Sequence, residues 1–278
     1  MIQKYLAGNL SVERLSIPIA DLSPSLVGTK IVHLTDFHFD GIRLSEQLLQ
    51  QAIATSNQLQ PDLVLLTGDY VTDQPSPIIQ LAEYLAQLQT QAGTFAVLGN
   101  HDLLKRQSQS EITQAFTHAG IQVLWNQVSY PLGHDLAIVG LPDYWSRQFI
   151  PELTLSQIDP QTPRIVLSHN PDSAEELAPW RVDLQLSGHT HGGQVVIPGV
   201  GPVIGKIKQW RSKIPKQLKR WTPFLWQECY EVVQNWEWSQ GLHRVGNNLV
   251  YVNRGLGTYM PGRFFCPPEL TLIELTRN

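Results

Sequence analysis

An α/β domain whose strands deliver their carboxyl ends to one edge is the fold class this sequence predicts, on three observations. Short apolar runs of strand length recur at Ile31-Val32-His33-Leu34, Leu63-Val64-Leu65-Leu66, Phe95-Ala96-Val97-Leu98, Ile165-Val166-Leu167 and Val182-Asp183-Leu184-Gln185-Leu186. Stretches of helical periodicity separate the early runs. Each run is followed at once by a polar cluster: Asp36-Phe37-His38, Gly68-Asp69, Gly99-Asn100-His101-Asp102, Ser168-His169-Asn170 and Gly188-His189-Thr190-His191.

The elements follow in chain order. Val12 to Pro18 alternates as a strand and is expected to pair beside the first central strand. Leu44–Leu59 reads as a helix with Leu48, Ala52, Ile53 and Leu59 on one side. A second helix fits Pro77–Gln91, with Pro77 in the first turn. A third fits Ser110–Ala119, with Ser110 as N-cap and Gly120 as the stop. Leu136–Leu141 is a further strand, Asp172–Leu177 a short helix behind the His169 loop, and Leu270–Leu275 the last strand. With no internal repeat or linker, residues 1–278 read as a single domain, interrupted by a basic amphipathic insert at about 199–226.

A chain of 278 residues with a net charge of −4 has room for a large core, and its charge argues against broad nucleic-acid binding. Cys229 and Cys266 make no metal or redox spacing; buried free thiols are favoured over a bridge. The first ten residues carry no long apolar core and no twin arginine, so a cytoplasmic location is expected.

One Asp-x-His or His-x-His pair says little, but five polar clusters in order, each at a strand terminus, carry weight. They hold five of the nine histidines. Asp36-x-His38, Gly68-Asp69, Gly99-Asn100-His101-Asp102, His169 and Gly188-His189-x-His191 resemble the motifs of the calcineurin-like metallophosphoesterases, over about Gly28 to Leu275. Gly188-His189-Thr190-His191-Gly192-Gly193-Gln194, Asn253-Arg254-Gly255-Leu256-Gly257 and Pro268-Glu269 are similar to a narrower bacterial branch. That branch, of the YaeI and YkuE type, contains membrane-associated phosphodiesterases and UDP-diacylglucosamine pyrophosphatases. Its members commonly carry an N-terminal export or membrane segment, a pattern from which this sequence departs.

The resemblance implies a four-layer α-β-β-α sandwich of two mixed sheets and a pair of divalent cations. It places Asp36, His38, Asp69 and His191 on the first metal and Asp69, Asn100, His169 and His189 on the second, with Asp69 bridging. His189 and His191 would face opposite sides of a strand, so a turn after Gly188 is needed to aim both inward. Oxygen and nitrogen donors together suit Mn²⁺, Fe or Zn²⁺ better than Ca²⁺. The chemistry implied is attack on phosphorus by a metal-bound hydroxide. His101, not required as a ligand, is the candidate to stabilise phosphoryl charge or protonate the leaving group. Asp102 either orients the His101 ring or caps a helix.

Other candidates stay open between two readings. Arg254 and Arg263 flank a Gly-rich loop and either bind substrate phosphate or form structural ion pairs. His33 reads as a core residue, His118 and His134 as solvated, Asp40 and Asp73 as solvated loop carboxylates, and His243 has no evident place. In the insert, seven basic residues (Lys206, Lys208, Arg211, Lys213, Lys216, Lys219, Arg220) accompany Ile207, Trp210, Ile214, Leu218, Trp221 and Leu225 at spacings of three and four. Two short helical pieces broken at Pro215 would either pack their stripe on the domain or face lipid, with Trp210 and Trp221 beside an acyl chain.

The reading is a dinuclear metal-dependent phosphohydrolase acting on a phosphodiester or pyrophosphate. A UDP-linked acylated sugar is the leading specific substrate, and peripheral contact with the inner membrane face accompanies it. A cyclic-nucleotide or general phosphodiesterase is the enzymatic alternative; a non-catalytic metal-binding scaffold is the alternative from another class.

Overall fold

The computed structural model describes residues 7–206 and 233–277. Along the chain run β1 (Ser11–Ile19), β2 (Lys30–Leu34), α1 (Glu46–Leu59), β3 (Leu63–Leu66), α2 (Ile78–Leu85), β4 (Thr94–Ala96), α3 (Ser108–His118) and β5 (Ile121–Val123). They are followed by β6 (Gln127–Ser129), β7 (Ala137–Gly140), α4 (Glu152–Leu155), β8 (Arg164–Leu167), α5 (Ser173–Leu177) and β9 (Leu184–Ser187). The small ribbon β10 (Val196–Ile197) and β11 (Gly201–Pro202) comes next, then β12 (Gly241–Val245), β13 (Asn248–Val252) and β14 (Glu269–Arg277).

Two six-stranded mixed sheets form, in the orders β1-β14-β2-β3-β4-β5 and β12-β13-β9-β8-β7-β6. Period-two alternation decides how they stack. Ile31, Leu63, Leu65 and Phe95 of the first sheet meet Ile138, Ile165, Leu167, Leu184 and Leu186 of the second in one buried cluster. Their neighbours Val32, Leu34, Val64 and Leu66 face the opposite way, onto Leu48, Leu49 and Ala52 of α1 and Leu81 of α2. Ala137, Val139 and Val166 likewise turn outward onto Leu155 and Leu177 of α4 and α5. The layers are therefore helix, sheet, sheet, helix, as expected. Strands buried on both faces explain why the sequence shows continuous apolar runs.

Two local expectations need correction, and one element is an addition. β1 pairs in parallel with β14, and β14 separates it from β2. The reason lies in burial: β14 is covered on both faces, whereas β1 alternates exposed and covered residues over most of its length and suits an edge. Ser110 is not an N-cap, because α3 begins at Ser108 and the Ser110 hydroxyl donates back to the Gln107 carbonyl. Gly120, at φ +76°, does end the helix. The hairpin β12–β13 was not anticipated, although Gly246-Asn247 between its strands is a two-residue turn signal, and it gives His243 its place.

Parallel order brings the ends of β2, β3 and β4 in one sheet, and of β8, β9 and β13 in the other, to a common edge. The loop after β13 folds back across it: Leu256 and Gly257 donate their amides to the carbonyls of Thr35 and Asp36.

Candidate metal centre

Asp36, His38, Asp69, His169, His189 and His191 are all buried at this edge. Five of the seven candidate ligands (Asp36, His38, Asp69, His189 and His191) have positive φ, between 45° and 69°. Outside glycine this region is uncommon and costs on the order of 1 kcal/mol or more, with Asp, Asn and His the most tolerant side chains. The same residue types therefore satisfy the backbone and the ligand requirement. His189 and His191 sit in the turn after β9, and both point inward. Gly99 and Gly188 are required by close approach, since a Cβ at either would run into the Asp69 or Asp36 carboxylate.

The side-chain donor atoms converge in three overlapping groups, Asp36/His38/His191, His38/Asp69/His101 and Asp69/His169/His189, each within 4.8 Å. Asp69 Oδ2 lies 3.5 Å from His38 Nε2 and 3.2 Å from His169 Nε2, so one carboxylate oxygen faces both histidine sets. His191 Nε2 is 3.3 Å from Asp36 Oδ1. Asn100 Oδ1 is buried without a hydrogen-bond partner among the described residues. An orphaned acceptor beside a convergent carboxylate–imidazole set is the donor chemistry a divalent cation requires, and these residues fit one.

Backbone carbonyls set the tautomers. His169 Nδ1 donates to the Thr67 carbonyl at 2.7 Å, which leaves Nε2 turned toward Asp69. His191 Nδ1 lies 3.3 Å from the Gly257 carbonyl. His38 Nδ1 is 3.1 Å from Tyr259 Oη. Such outer contacts orient metal-binding imidazoles. Burial pushes the Asp36 carboxyl up to about 6 and the His38 imidazole down to about 3. Burial also opposes charge on His169, but Asp69, Asp36 and Asp143 raise it to about 10. Asp69 itself is held well below the carboxylate range, because His169, His101 and His38 outweigh its burial.

His101 Nδ1 donates to the Thr72 carbonyl at 2.8 Å, and the His101 amide donates to Asp69 Oδ1. The expectation for Asp102 is corrected. It neither orients His101 nor caps a helix; its buried carboxylate accepts the amides of Asp69, Tyr70, Val71 and Gly99. Burial and the nearby Asp69 charge push its carboxyl up to about 7, against the amides that favour the ionised form. Asp40 is not a free loop carboxylate either, since it accepts from Thr72, Ile42, Arg43 and the Arg43 side chain.

Arg254 and Arg263 are occupied structurally. Arg254 bridges Glu13 and Glu269. Arg263 donates to the carbonyls of Arg254, Gly255, Gly257 and Cys266, tying down the returning loop. Arg254 thus matches the structural ion-pair reading, whereas Arg263, expected on phosphate or in an ion pair, is held by backbone carbonyls instead. Cys266 is a buried free thiol. His33 is a core residue, Nε2 on Thr67 Oγ1 at 2.8 Å, and His118 and His134 are exposed. Trp210, Trp221 and Cys229 lie outside the described residues.

Sequence reasoning missed Tyr259, which no spacing marks, and Thr72, which acts through its carbonyl. It also passed over Asp143, just after β7: buried, with Oδ2 unpartnered among the described residues, and its carboxyl pushed by burial up to about 6. The rule that polar residues follow strand ends would have found it.

No helix of the described residues is long and apolar enough to cross a membrane. The family model of the calcineurin-like phosphoesterases matches residues 29–193, a span containing every candidate ligand. The chain is 34% identical over 253 residues to phosphodiesterase YaeI of Escherichia coli (strain K12), covering 88% of this chain and 82% of that one. It is 32% identical to metallophosphoesterase YkuE of Bacillus subtilis (strain 168), over 89% and 79% of the two chains. It is 28% identical to UDP-2,3-diacylglucosamine pyrophosphatase LpxG of Chlamydia trachomatis serovar D, over 95% and 89%. Among solved structures, TT1561 of Thermus thermophilus shares the fold, with a TM-score of 0.52 at 12% identity over 82% of this chain and 90% of that one. With these ligand-type residues converging at the sheet edge, the chain belongs to the calcineurin-like phosphoesterase family and is a metal-dependent phosphoester hydrolase.

Proposed function

We propose that this enzyme cleaves a phosphodiester or diphosphate linkage using two divalent cations. Asp36, His38, Asp69 and His191 would hold one, and Asp69, Asn100, His169 and His189 the other, with Mn²⁺, Fe or Zn²⁺ suited to the donor set. The observation that supports this reading is the position of Asp69 Oδ2, within 3.5 Å of an imidazole nitrogen from each set. When bound, such a pair of cations supplies Lewis acidity at the phosphoryl group and lowers the pKa of the attacking water. The chain's own residues do the rest. Asp102 and the glycines shape the loops, and the Thr72 carbonyl keeps one His101 proton on Nδ1. With Nδ1 on that carbonyl, Nε2 is the ring nitrogen that would serve the leaving oxygen.

The proposed substrate is a UDP-linked acylated sugar. Two things support it: the LpxG relatives, and an apolar rim of Met260 (78% exposed), Phe265 (64%), Phe264 (56%), Ile197 and Val200. This rim is joined to the site, because Phe264 pairs with Gln194 and Val196 through the backbone. An exposed apolar edge beside a phosphate site suits acyl chains and peripheral contact with a bilayer. Metal analysis of the purified protein should give about two ions per chain. Hydrolysis of a chromogenic bis-phosphodiester tests the reaction class. UDP-2,3-diacylglucosamine should be cleaved faster than its deacylated counterpart; preference for the deacylated compound or a cyclic nucleotide would reject the amphiphilic substrate.

A further inference from the structure

With Arg254 and Arg263 committed elsewhere, the described residues offer a cation for the remaining substrate charge in the loop after β2. Arg43 lies there, seven residues beyond Asp36. Its guanidinium stands 4.5 Å over the ring of Tyr259. That ring meets His38 and His191 edge-on, with centroids 5.0 and 5.3 Å away. On its other side Arg43 Nη1 pairs with Asp40 Oδ2. Asp40 accepts the Thr72 hydroxyl at 2.9 Å, and the Thr72 carbonyl holds His101. Arg43 is thus braced to His38 through Tyr259 and to His101 through Asp40 and Thr72. Its Nε and Nη2 make no hydrogen bond among the described residues, and 26% of the side chain is exposed.

We propose that Arg43, seated on Tyr259, forms a subsite for the second phosphoryl group of a diphosphate-linked substrate. This rests on the hydrolytic reading above and narrows it toward diphosphates. A diphosphate carries one charge more than a simple diester, and a cation pair that grips the reacting phosphoryl group leaves the second one unanswered. A planar guanidinium fits phosphate oxygens with two parallel donors. Stacking on an aromatic face holds the plane of that fork. Asp40 offsets part of the charge, but it fixes one nitrogen and leaves the free edge in a single orientation.

Direct titration calorimetry on the metal-loaded enzyme decides the matter, with α,β-methylene-UDP and inorganic phosphate as probes. Arg43→Gln should weaken the nucleotide by about 10- to 100-fold, the worth of a charge-assisted hydrogen-bond pair. Inorganic phosphate, which needs one phosphoryl site, should weaken less than about threefold by the same reasoning. Arg43→Lys should recover part of the loss, since it keeps the charge without the fork. Equal weakening of both probes, no change in either, or a wild-type enzyme that does not bind the nucleotide would each overturn the proposal. Binding with the expected ratio but no cleavage of UDP-2,3-diacylglucosamine would reject that substrate while leaving the Arg43 subsite supported.

Discussion

Asp102 holds Asp69 by the backbone: its Oδ2 accepts the Asp69 amide at 2.8 Å, and the same oxygen accepts the amide of Gly99 at 2.9 Å. Oδ1 takes Tyr70 and Val71. One buried carboxylate thus ties together the loops that follow β3 and β4. Removing it by Asp102→Ala strands up to four buried N–H groups, which should destabilise the fold by about 3–5 kcal/mol. Urea unfolding measures this. Asp102→Asn, which keeps acceptor capacity in one oxygen, should lose less. A variant of normal stability with collapsed turnover would return Asp102 to the reacting atoms.

His101 should behave differently. His101→Ala or His101→Asn is expected to lower turnover by roughly 10²–10⁴-fold, the range of a general acid, while metal content stays near wild type. Parallel metal analysis is essential, because His101 also converges with His38 and Asp69. Loss of metal in the variant would make His101 a ligand.

Tyr259 reaches His38 from 221 residues away along the chain. With His38 Nε2 facing Asp69 and His191, its proton belongs on Nδ1, which donates to the tyrosine oxygen. Tyr259→Phe keeps the ring but removes that acceptor. Metal affinity should fall about 10- to 100-fold, the usual penalty for losing an outer-shell partner. Competition with a chromogenic chelator reads this without reference to activity, and an unchanged affinity would show that the contact does not orient His38.

His33 makes the fold acid-sensitive. Its imidazole is buried between the sheets, with Nδ1 unpartnered among the described residues, and desolvation lowers its pKa to about 3. The unfolded chain takes up this proton near pH 6.5, so U binds more protons than N between pH 6.5 and 3. Stability from this group is intact above pH 6.5 and is lost as pH falls toward 3. By pH 5 the loss should be about 2 kcal/mol relative to pH 7. His33→Gln should show a smaller loss between these pH values in denaturant titrations; identical slopes for the two proteins would remove His33 as the cause.

The strand runs, the helix of Leu44–Leu59 and the ligand clusters were legible because each leaves a local trace. Strands covered on both faces must be continuously apolar, and loops that bend through positive φ while presenting ligands favour Asp and His. Five of the seven candidate ligand positions therefore stand out in the sequence itself. Arg254 and Arg263 did not resolve, because a guanidinium near a Gly-rich loop looks alike whether it grips phosphate or a neighbouring glutamate.

What the sequence determined by itself was thus the set of strand ends and the residue types placed on them, both dictated by chemistry within a few positions. Only the tertiary structure decided that β14 separates β1 from β2, that Asp102 serves four amides, and that Thr72 and Tyr259 contact His101 and His38. These contacts join segments far apart in the chain or run through backbone carbonyls and amides, which every residue carries alike. They leave no periodicity and no spacing, so packing alone selects them.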